Sequence, residues 1–63
     1  MDELEKLTVE NLQICRELDG PDRSEFIENH LEDYHFALAV VSSPKILRYY
    51  RELLTKLVRD FGH

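Results

Sequence analysis

Two short proline breaks divide this chain and leave room for three helices and little else. The first is Asp19-Gly20-Pro21-Asp22. Glycine readily takes the left-handed conformation that ends a helix, and proline cannot continue one. Asp22 then suits the N-cap of a following helix, and Glu25 three residues later completes a capping-box pattern. The second break is Ser42-Ser43-Pro44, where Ser43 can cap and Pro44 fits the first helical position. Breaks this short turn neighbouring helices antiparallel.

Each segment between the breaks carries an apolar stripe at helical spacing. In the first, about residues 2–19, the stripe is Leu4, Leu7, Asn11, Ile14 and Leu18, widened by Leu12 and Cys15. Thr8 offers a second cap there, which would make residues 1–7 a separate turn. In the second, about 23–41, the stripe is Ile27, Leu31, Tyr34, Leu38 and Val41. Its end, Phe36 to Val41, is apolar all round and should be covered from more than one side. In the third, about 44–61, Leu47, Tyr50, Leu54, Leu57 and Phe61 align, broadened by Ile46, Leu53 and Val58. No useful stretch alternates with period two, so no sheet is expected. The expected fold is all-α: a small antiparallel three-helix bundle, one domain spanning residues 1–63.

A chain of 63 residues is short for a self-sufficient core. Below ~70 residues one core seldom supplies more than ~3–5 kcal/mol, and the lone Cys15 cannot form an internal disulfide. Self-association as a homodimer, or a protein partner, is therefore expected to supply part of the stability. The acidic start, Met1-Asp2-Glu3, does not read as a signal peptide, and the tail Phe61-Gly62-His63 carries no lipidation signal. The longest apolar run is six residues, against the ~20 needed to span a bilayer. With a single cysteine, the expected compartment is a reducing cytoplasm.

The net charge of −5 hides a split at Pro44. Residues 1–22 hold seven acidic and two basic side chains, and residues 23–43 hold four and one. Residues 44–63 reverse this, with Lys45, Arg48, Arg51, Lys56 and Arg59 against Glu52 and Asp60. The simplest expectation is internal complementarity, the basic third helix pairing with its acidic neighbours. A second is that Arg48, Arg51 and Arg59 meet an acidic partner or the phosphates of a nucleic acid. A third is that the acidic helices mimic DNA and act as an inhibitor.

Chemistry-bearing residues are few. Glu32-x-x-His35 has the spacing that di-iron bundle proteins use, and a dimer would supply two copies, but both residues lie beside the apolar stripe. A surface Glu–His pair is the expectation, with no metal and no cofactor. His30 sits at the edge of the stripe and should hydrogen-bond a neighbour. Cys15 should be a buried, inert thiol. No nucleophile–base arrangement and no glycine-rich phosphate loop is present, and one copy is too small to enclose a substrate pocket. No enzymatic activity and no small-molecule substrate is expected. Asn11 either fixes register at a helix seam or sits at the bundle edge.

The stretch Tyr34 to Leu47 resembles a helical hairpin in the effector-binding domain of gluconate-repressor-type transcription regulators. It covers 14 residues, places Leu31 where that family has a metal-binding Asp, and lacks the Asn of its turn. No site is carried over from it.

These residues point to a small helical module acting by protein–protein contact, as a regulator, adaptor or small subunit. The expected contact surface is the exposed side of the third helix, Arg48, Tyr49, Arg51, Glu52 and Arg59, with Tyr50 turned inward. The crowded apolar end around Phe36, Val40 and Val41 is the other part of the expected contact surface.

Overall fold

A computed structural model describes residues 2–61; Met1 and the tail residues Gly62 and His63 lie outside them. Three helices account for most of the chain: α1 (Glu3–Glu17), α2 (Gly20–Val40) and α3 (Pro44–Phe61). There are no strands among the described residues. This is the expected all-α three-helix bundle. α3 packs against both other helices, while α1 and α2 touch each other least.

The helix starts follow from local chemistry. Asp2 is the N-cap of α1, its carboxylate accepting the Leu4 N–H at 3.1 Å. α1 runs unbroken through Thr8, whose hydroxyl donates to the Leu4 carbonyl at 2.9 Å. The side chain that could have capped a new helix is satisfied inside this one. Ser43 precedes α3, and its hydroxyl accepts the Ile46 N–H at 3.5 Å, with Pro44 first in the helix.

The first break departs from expectation. α2 begins at Gly20 rather than Arg23, with Asp19, not Asp22, in the N-cap position. Pro21 lies inside the first turn, where its missing N–H would have no partner in any case. Gly20 has φ +51°, the left-handed conformation expected, so the turn is made by the residue that opens α2.

Arg23 closes this corner. Its Nε donates to the Cys15 carbonyl at 3.1 Å and a terminal nitrogen donates to the Arg16 carbonyl at 3.2 Å. Both carbonyls belong to the last turn of α1, whose partial negative charge favours a cation. The guanidinium also lies 4.9 Å from the Phe61 ring centroid, tying the end of α3 to the same corner. One side chain thus joins all three helices. Arg23→Ala is expected to lower stability by about 1–2 kcal/mol in urea titration. Arg23→Lys should recover only part of the loss, because a single ammonium cannot span two carbonyls with a fork.

The core is small and centred on α3. Cys15, Leu53 and Leu57 are fully buried, with Leu54 and Ala37 nearly so. Leu12, Phe26, Ile27, Tyr34, Tyr49 and Phe61 pack around the cluster. The stripe read for α3 is the one observed, apart from Val58, which is exposed. Those of α1 and α2 are observed in part: Leu4, Asn11, Leu12, Cys15 and Leu18, and Ile27, Tyr34 and Val41, turn inward. Thr8 and Cys15 take the inner positions of α1, leaving Leu7 and Ile14 exposed. On α2 Ala37 is the buried residue, and Leu31 and Leu38 are exposed.

Candidate functional site

The residues expected at the contact surface fall into two groups. Arg48, Arg51, Glu52 and Arg59 are exposed along the outer side of α3, and Phe36 and Val40 are exposed on α2, at 68% and 61%. Tyr49 is not on this outer surface. It is half-buried against the core, and its hydroxyl accepts a 2.8 Å hydrogen bond from the Asn11 amide. The reason is its register: Tyr49 stands one turn before fully buried Leu53, while Tyr50 stands one heptad before fully buried Leu57. Tyr49 packs against the core, and half-buried Tyr50 meets its ring edge-on with centroids 5.2 Å apart. Burial raises the Tyr49 pKa above its ordinary value, against the opposing effect of the Asn11 hydrogen bond. Asn11 is thus a polar link between α1 and α3.

The apolar end of α2 is also barer than its sequence implies. Of Phe36 to Val40, Ala37 alone is buried within the chain. Three helices of this length cannot surround a fourth side, so the faces of α2 that miss α3 stay in solvent.

Between α2 and α3 lies a feature the sequence reading missed. Leu31, Tyr34, Leu54 and Val58 floor an open groove of about 480 Å³, edged on the α3 side by Arg51, Thr55 and Arg59. Tyr34 and Arg51 continue into a second hollow with Leu47 and Arg48. The two hollows form one line along the seam. Leu31 and Val58 are 45% and 56% exposed there. The signal for this groove was Val58, which broadens the third stripe at its outer edge and has nothing inside the chain to cover it.

Charge is distributed as the sequence divides it, but the pairing differs. The ion pairs among the described residues are Asp2–Lys45 at 3.7 Å and Arg59–Asp60 at 3.2 Å. One links α1 to α3, and the other lies within α3. None joins α2 to α3. The complementarity expected inside the bundle is therefore confined to one exposed pair. α3 turns its apolar stripe inward and leaves Arg48 and Arg51 exposed at the rim of the seam, where neither pairs with Glu25, Glu28, Glu32 or Asp33.

The remaining candidates are simple. His30 Nδ1 lies 2.9 Å from the Phe26 carbonyl and its ring stacks on Phe26 at 4.4 Å, a boundary histidine bonded to its own helix. Glu32 and His35 are exposed on α2, and no group of three or more metal-ligating side chains comes together among the described residues. Cys15 is fully buried, and burial pushes its thiol pKa up, with Arg23 opposing. No described helix is long and apolar enough to cross a membrane. Comparison with models of known protein families, with curated proteins and with solved structures returns no match.

Proposed function

We propose that this chain works as a non-enzymatic protein–protein contact module, acting through the α2–α3 groove and the arginine edge beside it. The observation that carries this reading is the exposed apolar floor, Leu31 and Val58, lined on one side by Arg51 and Arg59. Apolar floor with an arginine rim is the composition of interface centres. The total surface agrees. The chain exposes 4810 Å², whereas a folded monomer of 7.5 kDa is expected to expose about 4,200 Å².

A photo-crosslinking amino acid at position 58, introduced in the cells that make the protein, tests the reading. Crosslinks to protein, with far fewer from a control at exposed Gln13 on α1, are expected. Equal yields from both positions, or none, would overturn it.

The exposed Arg48–Arg51–Arg59 edge favours one other reading, contact with nucleic-acid phosphates. Retardation of duplex DNA at low salt would support it. The acidic α2 beside the same groove opposes it by repulsion.

A further inference from the structure

We infer that the occupant of the α2–α3 groove is the same groove of a second copy, with α2 of each protomer laid against α3 of the other. This rests on the contact-module reading above and names its partner. On the α3 side, Arg48, Arg51 and Arg59 are exposed, and Arg59 reaches no carboxylate but its neighbour Asp60. The exposed carboxylates of α2 are Asp22, Glu25, Glu28, Glu32 and Asp33, of which Glu28 and then Glu32 follow the row beside the groove, and its one arginine, Arg23, is turned to the corner of the bundle. Glu28 stands one turn before Leu31, on the row just outside the groove floor.

A groove rimmed by arginines on α3 and flanked beyond its α2 side by the carboxylates of Glu28 and Glu32 suits neither a uniformly acidic nor a uniformly basic partner. It does suit itself. A two-fold axis through the groove brings each edge to the opposite edge of the other copy, the self-complementarity an isologous interface requires. The result is a four-helix layer in which α2 neighbours α3 on both sides and like helices lie diagonally. The alternative, α2 on α2 and α3 on α3, sets acid on acid and base on base. The apolar floor supplies affinity, and the charged edges select the arrangement.

Sedimentation of purified protein tests this with paired variants. The unmodified chain should form dimers. Leu31→Glu and Val58→Glu each place a charge on the exposed floor without touching the core, so circular dichroism should stay helical while dimer affinity falls about 100-fold or more. Glu28→Arg with Glu32→Arg should weaken self-association, as should Arg51→Glu with Arg59→Glu. Mixing these two double variants should restore dimers. A monomer at every concentration, or dimers indifferent to Leu31→Glu and Val58→Glu, overturns the proposal. Full self-association of the Glu28/Glu32 double variant overturns the α2-to-α3 arrangement. A monomer whose position 58 still crosslinks to another protein would sink the dimer and leave the contact module standing; absence of crosslinks would sink both.

Discussion

Leu53→Ala or Leu57→Ala is expected to unfold most of the chain. Both side chains are fully buried, and no other large apolar residue among those described is. Truncating a buried leucine costs about 2–5 kcal/mol, the lost transfer energy plus the cavity left behind. A core of this size supplies about 3–5 kcal/mol in all. The change therefore removes most of the margin, and helical circular dichroism at 25 °C should collapse. Leu7→Ala and Ile14→Ala, on the exposed flank of α1, should stay within about 0.5 kcal/mol of the parent. If all four variants lose the same stability, the core is not where the structure puts it.

Cys15 is expected to react with a thiol reagent about 100-fold more slowly in the folded chain than in denaturant. It has no exposed surface, so the reagent must wait for an opening. An opening free energy of about 3 kcal/mol corresponds to about two orders of magnitude in population. The thiol also contributes a dependence of stability on alkaline pH. Its folded pKa is raised above the 9.0 of a free thiol by burial, and that of Tyr49 above 10.0 by burial too. For an acid whose folded pKa is raised, the folded state holds its proton where the unfolded chain has lost it. That contribution to stability is complete below about pH 9 and declines as pH rises from there toward the folded values. Tyr49→Phe should remove the tyrosine share of the decline. A thiol that reacts equally fast folded and unfolded would contradict the burial of Cys15.

The helix count, the breaks and the core face of α3 were legible in the sequence because each depends on local chemistry. Gly20 with Pro21, and Ser43 with Pro44, interrupt helix in any context. On α3 the large apolar residues cluster on one side and the arginines on the other, so burial had one choice. On α1 and α2 it had two. Large side chains at Leu7, Leu31 and Leu38 marked one face, but the close approach of helices is decided by what fits between them. Thr8, with its hydroxyl satisfied by its own helix, and small Ala37 take those places, and the leucines are turned to the flanks. Leu31, left exposed in this way, lines the groove with Val58. Arg23 was hidden for a different reason: its partners are backbone carbonyls of another helix, which no spacing of side chains encodes. Tyr49 was misassigned because its arginine neighbours suggested an outer face, while its position one turn from Leu53 draws it inward.

The exposed α2–α3 groove is completed, on this proposal, by a second copy of the chain. Sedimentation equilibrium from micromolar to near-millimolar protein, followed at the same concentrations by circular dichroism and thermal melting, tests this most directly. The predicted result is a mass rising from 7.5 kDa toward twice that value, with a melting temperature that climbs in step as dimers accumulate. A mass of 7.5 kDa throughout, with full helicity and a melting temperature independent of concentration, would contradict it.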